Sequence, residues 1–307
     1  MKSTCIAILN YNGISYLKDL LPSVQVAVKK YSRVCKIIVL DNSPTDHDQL
    51  WIRRYYPDII VTPAPKNDYL FSYNWLMPQL KEDIVILLNN DLKVDPDFIA
   101  PLVAHFESKD VFAVSATSLD WSGENYTCGP SFLSQEYTLY RWGYDCSSQK
   151  TSHTLYASGG FSAFDRRKFI ELGGFNQLFY PAYCEDLDLG LRAWRKGWRC
   201  IFEPKSKVFH HNQGSWGREK ANTVAKINYR AELLFVWSSL PPLGNFIQRL
   251  FMTLWVFYLN ACHGKWWCVV VWCKTYFEWC LKREQYKPLK ISVEELKILR
   301  EKLTFSG

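Results

Sequence analysis

The residues best equipped for chemistry in this chain are carboxylates and histidines at the edges of apolar runs. Glu185-Asp186, with Asp188 two places on, stands just before a stretch of helical periodicity, and His210-His211 closes a strand-like run downstream. One short turn between that helix and that strand would bring a base and a metal ligand into one cleft. Asn89-Asn90-Asp91 ends the apolar run Ile84–Leu88. A carboxylate there can hold a hard divalent cation, which in turn holds phosphate oxygens. Asn10 and Asp41 close two further apolar runs, and Asp41 could accept a hydrogen bond from a nucleobase or ribose. Each group also has a plainer use. Asn and Asp make turns, the Glu185 cluster could simply cap its helix, and Asp95 or Asp97 caps the next one with Pro96 in its first turn.

These residues need a frame that gathers strand ends. Thr4–Leu9, Val34–Leu40, Asp58–Thr62, Ile84–Leu88 and Val111–Ala116 are short β-rich runs. Helix-length amphipathic stretches lie between them, over Ile14–Lys30 and near Asp46–Tyr55, Phe71–Leu80 and Pro96–Glu107. Such alternation predicts an α/β fold with a mostly parallel sheet covered on both faces. Ligands of such sheets sit beyond the carboxyl ends of the strands, where Asn10, Asp41 and Asn89-Asn90-Asp91 fall. In Leu187–Lys196, Leu187, Leu191 and Trp194 make an apolar helix face at i, i+4, i+7 spacing. Asp186 is then at a helix N-terminus, which favours its ionised form.

The chain of 307 residues suffices for one large domain and an appendage. Residues 1–204 carry 21 Lys and Arg against 23 Asp and Glu, whereas residues 205–307 carry 16 against 7. Positive charge is thus concentrated in the last third, together with Trp237, Trp255, Trp266, Trp267, Trp272 and Trp279. Basic side chains interleaved with tryptophan suit an anionic membrane surface, and no nucleic-acid motif accompanies them. After Pro241-Pro242-Leu243-Gly244, the apolar runs Leu250–Cys262 and Trp266–Cys273 are split by His263-Gly264-Lys265. Neither reaches the roughly 20 residues of a spanning helix. Residues 241–307 therefore read as a helical tail, either packed or lying on the inner face of a membrane, with Arg249, Lys274, Lys282 and Arg283 at its flanks. Ser292 and Glu295 hold capping-box positions for a final helix reaching Leu303. No cleavage pattern follows Lys2, and the ten cysteines show no CxxC pair or zinc spacing. A cytoplasmic chain with reduced cysteines is expected, with no glycan on the Asn125 sequon.

Taken in order, four segments resemble a family-2 glycosyltransferase of the GT-A fold. They are Cys5–Gly13 (CIAILNYNG), Ile38–Asp46 (IVLDNSPTD), Val85–Phe98 (VILLNNDLKVDPDF) and Ser158–Trp216. The last segment carries a Gly-Gly pair, a basic residue ahead of a helix, Gly173-Gly174-Phe175-Asn176, and an aromatic residue ahead of Glu-Asp-x-Asp-Leu. An arginine-bearing helix, the Gly197 cap, a proline and the His-His ending complete it. The resemblance runs through residues 1–216 and implies a GT-A type, Rossmann-like mostly parallel sheet flanked by helices, with a C-terminal helical appendage. The catalytic domain would span residues 1–240, its nucleotide-binding half about 1–117 and its acceptor-binding half about 118–240.

The same resemblance implies roles. Asp91 would be the last acidic position of the family's DXD motif, with Asn89 in place of the first, and His210 would complete a site for Mn2+ or Mg2+. Asn10, Asp41 and Asn67 would contact the nucleotide of the sugar donor, although Asn67-Asp68-Tyr69-Leu70-Phe71 is bulkier than the family's loop. Asp186 would be the general base, Glu185 would orient the acceptor or support the loop, and Asp188 would be structural. The implied reaction is inverting transfer from a nucleotide-diphosphate sugar to a hydroxyl of a glycan or lipid-linked acceptor in cell-envelope polysaccharide synthesis. Two other functions compete. A sugar nucleotidyltransferase would carry a Gly-rich phosphate loop, and Asn10-Tyr11-Asn12-Gly13-Ile14 supplies one glycine. An inactive membrane adaptor of the same fold would have no need of Asp91, Asp186 and His210.

Overall fold

The computed structural model describes residues 2–136, 139–211, 221–282 and 290–304. The end of the Ser158–Trp216 segment beyond His211 and the flanking Arg283 lie outside the described residues, as does the side chain of Lys282.

Four parallel strands make one half of the sheet: β1 (Thr4–Asn10), β2 (Cys35–Asp41), β3 (Ile60–Pro63) and β4 (Ile84–Asn89), in the order β3-β2-β1-β4. Helices α1 (Ile14–Tyr31) and α2 (His47–Tyr55) connect the first three. The β1 and β4 runs are apolar throughout because both sheet faces are covered. Side chains alternate between faces. Cys5, Ala7, Val85 and Leu87 enter one core, and Ile6, Ile8, Ile84, Ile86 and Leu88 enter the other, against Leu17, Leu20, Leu21 and Val24 of α1.

The stretch expected as one helix over Phe71–Leu80 is a short α3 (Ser72–Leu76) between two 3₁₀ turns. Pro78 lies in the second turn and has no N–H to continue α3. Over 96–107, α4 (Ile99–Ala104) passes into a 3₁₀ turn at His105–Glu107.

The other half of the sheet is mixed. After the short β5 (Leu92–Val94), β6 (Val111–Asp120) outruns the expected Val111–Ala116. Its polar end is buried but satisfied: Thr117 Oγ1 donates to the Cys128 carbonyl at 3.0 Å, and Thr127 Oγ1 to Ser118 Oγ at 2.9 Å. Cys128 and Thr127 belong to β7 (Tyr126–Cys128); β8 (Ser131–Glu136) and β9 (Leu139–Tyr144) pair separately, and β10 (Ser152–His153) joins the main sheet. Next, β11 (Phe161–Asp165) inserts antiparallel between β4 and β6 and leads into α5 (Arg166–Glu171).

Helix α6 (Glu185–Arg195) buries Leu187, Leu191 and Trp194, as its spacing predicts. Gly197, at φ 76°, turns the chain into β12 (Arg199–His210), which lies parallel to β6 and antiparallel to β5.

Four helices follow: α7 (Ala221–Ser239), α8 (Phe246–Cys262), α9 (Trp267–Lys282) and α10 (Val293–Thr304). No described helix is long and apolar enough to cross a membrane. The tail's last helix returns to the body, with Ile291, Leu296 and Leu299 in the core beside Leu191 and Trp194. The expected capping box is present: Ser292 N donates to Glu295 Oε2 at 2.7 Å and Glu295 N to Ser292 Oγ at 3.1 Å. The tryptophans divide between two environments. Trp237 and Trp272 meet edge to face at 5.7 Å between α7 and α9, whereas Trp255 and Trp266 are 46% and 67% exposed.

Candidate active site

The parallel register aligns three strand ends. Asn10 of β1 faces Asp41 of β2, and Leu9 faces Asn89 of β4. Asn10 is fully buried, and its Nδ2 donates to Asp41 Oδ1 at 3.0 Å and to Asp48 Oδ2 at 2.8 Å. Its Oδ1 accepts from Asn90 Nδ2 at 2.9 Å. Both amide hydrogens of Asn10, a residue expected at the nucleotide contact, are used internally, and they hold Asp41 and Asp48 while its Oδ1 holds Asn90. Gly13 closes the turn by donating its N–H to Asp48 Oδ2 at 2.7 Å. A Cβ at Gly13 would overlap Asn90 Nδ2 and stand 2.5 Å from Asn10 Oδ1. Asn67 is likewise engaged, its Oδ1 accepting from Asn42 Nδ2 at 3.2 Å and from its own loop at Tyr69 N, 3.1 Å.

Four buried oxygens in this region have no hydrogen-bond partner among the described residues: Asp41 Oδ2, Asn42 Oδ1, Asp91 Oδ1 and Glu185 Oε2. A buried polar atom left unpaired costs about 1–3 kcal/mol. At strand ends, such atoms are what an incoming ligand satisfies.

Asp91 opens the turn into β5, and β12 pairs with β5 so that His210 faces Leu92. His210 Nε2 therefore comes within 3.4 Å of Asp91 Oδ2, and His211 N donates to the Asp91 carbonyl at 3.0 Å. Among the described residues no group of three or more His, Cys, Asp and Glu gathers around one point, and Asp91 and His210 stand as a pair. His211 lies outside it, stacked on Trp121 with ring centroids 3.7 Å apart. Lys93 Nζ stands 5.0 Å over Trp121 and 4.9 Å over Phe209. Sequence reasoning missed Trp121 and Lys93, because a lone aromatic after a strand carries no motif.

On the far side, β11 brings Gly159-Gly160 across the end of β4, where the Asn89 N–H donates to the Gly160 carbonyl at 2.8 Å. A Cβ on Gly160 would stand 2.6 Å from Asn89 Nδ2, so the approach needs glycine. The Gly159 amide donates to the Asp186 carboxylate, as does Leu187 N, at 2.8 Å. Tyr183 and Cys184 enter the helix through two consecutive left-handed residues, φ 75° and 63°, a conformation costing about 1–3 kcal/mol each. Burial of Cys184 in the core helps hold it.

Burial raises the pKa of both Glu185 and Asp186. For Asp186 the amide hydrogen bonds pull the other way, and burial outweighs them, pushing the carboxyl up to about 6. Glu185 is raised further by the charge of Asp186. Asp188 has another role. It pairs with Arg192 (Nε to Oδ2, 2.8 Å), whose other nitrogens donate to the carbonyls of Leu172 and Gly174 at 2.6 and 2.8 Å.

The Rossmann-like sheet thus carries an acidic strand end, a His closing β12 and a carboxylate pair at a helix start. The glycosyl transferase family 2 model matches residues 5–173, and the chain belongs to that family. It is 26% identical over 250 residues to N-acetylglucosaminyl-diphospho-decaprenol L-rhamnosyltransferase of Mycobacterium tuberculosis, covering 72% of this chain and 80% of the relative. It is also 26% identical over 178 residues to the O-antigen biosynthesis protein RfbC of Myxococcus xanthus, covering 53% of this chain and 14% of the relative. Among solved structures, GalNAc-T7 with UDP, GalNAc and Mn2+ superposes at TM-score 0.58 and 16% identity, over 78% of this chain and 48% of that one. S. aureus TarS superposes at 0.52 and 13%, over 77% and 40%. The chain thus spans about half or less of these two solved structures, and their likeness supports the GT-A fold. The chain is a glycosyltransferase.

Proposed function

We propose that this enzyme transfers a sugar, with inversion, from a nucleotide-diphosphate sugar to a hydroxyl of a lipid-linked glycan acceptor in cell-envelope polysaccharide synthesis. The observation that carries the reading is that Asp41 Oδ2 and Asp91 Oδ1, at the ends of parallel strands, are buried with no partner among the described residues, while Gly159, which bonds Asp186, precedes the Gly160 that pairs with the end of β4. Asp41 Oδ2 and Asn42 Oδ1 accept hydrogen bonds from the nucleoside. Asp186 removes the acceptor hydroxyl proton as that oxygen attacks the anomeric carbon, and Glu185 orients the acceptor. Asp91 and His210 would hold a divalent cation, Mn2+ or Mg2+, which when bound offsets charge on the departing diphosphate. The fit rests on the unpartnered Asp91 Oδ1 beside the imidazole of His210. A rhamnosyltransferase relative that acts on a decaprenol-linked sugar supports the acceptor class.

The same reading assigns residues 1–240 to catalysis, nucleotide side first, and places α8 and α9 on the inner face of a membrane. Incubation with labelled nucleotide sugars and a lipid extract tests it. Transfer of label to lipid is expected. Pyrophosphate release in a parallel incubation with a nucleoside triphosphate and a sugar 1-phosphate would indicate a nucleotidyltransferase, and no turnover with any sugar an inactive adaptor.

A further inference from the structure

Arg230, halfway along α7, reaches two elements at once. Its Nε and Nη2 grip the Glu278 carboxylate of α9 at 3.0 and 2.7 Å, while Nη1 donates to the Tyr180 carbonyl at 3.1 Å and Nη2 to the Leu178 carbonyl at 3.4 Å. The planar guanidinium fork suits such a multiple grip, which lysine could not reproduce. On one side, Tyr180 packs against Tyr69 and Phe71, with ring centroids 5.8 and 5.9 Å away. The Tyr69 carbonyl accepts from Asn42 Nδ2 at 3.1 Å, next to Asp41. Along the chain, Tyr180 leads within a few residues to the left-handed Tyr183-Cys184 and to Asp186. On the other side, Glu278 sits between Phe277 and Leu281, 67% and 68% exposed on α9.

Helices α8 and α9 turn apolar side chains outward. Ile247, Leu250, Leu254 and Tyr258 of α8 are exposed at helical spacing, with the exposed cations Arg249, Lys265 and Lys274 nearby. Trp272 contacts both Trp237 of α7 and Phe257 of α8 edge to face at 5.7 Å, so the three helices are packed as one unit. A surface that is apolar with cations at its margin fits an anionic lipid leaflet.

We propose that Arg230 is a positioning residue: it transmits the seating of α8 and α9 on an anionic lipid surface to the loop 177–184 that joins the nucleotide side of the site to the base. The inference rests on the lipid-surface reading of the tail. Any coupling between two sites requires an element that both bias, and here that element is the Leu178–Tyr180 turn, whose Leu178 and Tyr180 carbonyls Arg230 grips from α7. Its amides report on it, since Leu178 N bonds Asn176 Oδ1 at 3.0 Å and Phe179 N bonds the Asn176 carbonyl at 3.0 Å.

Hydrogen exchange on the full chain, with and without phosphatidylglycerol-containing vesicles at low salt, tests the proposal alongside flotation. Exchange at residues 177–187 of the wild type is expected to slow about fivefold on vesicles, the low end of coupling between sites. R230A and E278Q should float as well as the wild type and lose the slowing, with R230K between. E278Q keeps the two carbonyl contacts of Arg230 and serves if R230A fails to fold. Slowing that persists in both variants would overturn the role of Arg230, and a floating wild type with unchanged loop exchange would overturn the transmission. A wild type that does not float would reject the lipid reading itself, and this proposal with it.

Discussion

Asp186 and Glu185 are neighbours in sequence and differ in what surrounds their oxygens. Asp186 accepts from backbone amides including those of Gly159 and Leu187, whereas Glu185 has one buried oxygen with no partner among the described residues. Replacing Asp186 by Asn keeps the shape and removes the base, so transfer should fall by about 10²–10⁴-fold with nucleotide binding nearly intact. Steady-state kinetics beside calorimetry of the nucleotide check it, and full activity in the variant would remove Asp186 from the mechanism. The sign of the pH dependence follows from burial. The base works deprotonated, and its pKa is raised. The rate should therefore fall as pH drops through a value above the ordinary carboxylate range, and residual activity of D186N should lack that limb. At the other end of the cleft, Asp91→Ala should abolish Mn2+-dependent nucleotide binding, and His210→Ala should raise the Mn2+ needed. Titrations unchanged in both would place the ion elsewhere. The residue types of this site were legible because Asp and His at strand ends stand out against apolar runs. Their supports were not, because Asn10, Asp48 and Asn90 come from separate elements and meet only when β1 and β4 are in register.

Elements were legible where one period dominated. The five apolar runs and the α6 face reappear as strands and a helix; burial in the sheet demands four of the strands, whereas β3, half-exposed at the edge, is held by pairing with β2. The insertion of β11 between β4 and β6 was not legible, since FSAFD is too short to announce a partner, and β6 hid its length behind Ser115, Thr117 and Ser118. Helix α6 also shows how tertiary contact reverses a local rule. In an open helix Gly→Ala stabilises by about 1 kcal/mol. A Cβ on Gly190, however, would stand 2.5 Å from Tyr156 Cβ and 2.6 Å from the Leu155 carbonyl. That backbone cannot easily retreat, because Trp194 Nε1 donates to the Thr154 and Leu155 carbonyls, both at 3.1 Å. Gly190→Ala should therefore destabilise by about 1–3 kcal/mol, the usual cost of overpacking, and lower the Tm. A Tm unchanged or raised would mean that α6 slides freely on residues 154–156.

At the scale of the whole molecule, charge and apolar exposure coincide in one place. The body carries almost balanced charge, the last third is basic, and the outward residues of α8 and α9 include Phe246 and Ile247 at 70% and 75% exposure. Packing uses up part of the aromatic content expected for a membrane surface, since Trp237 and Trp272 lie between helices. Trp255 and Trp266 remain outside, and tryptophan prefers the headgroup level. Each basic residue near an anionic leaflet adds about 1 kcal/mol, and the attraction fades beyond a Debye length of about 8 Å at physiological salt. Flotation with anionic liposomes should therefore recover the protein at low salt and release much of it as salt rises. A tail that only packs would not float at low salt, which would reject the docking role. Retention through high salt and alkaline washing would instead indicate insertion, a result at odds with helices too short or too polar to cross.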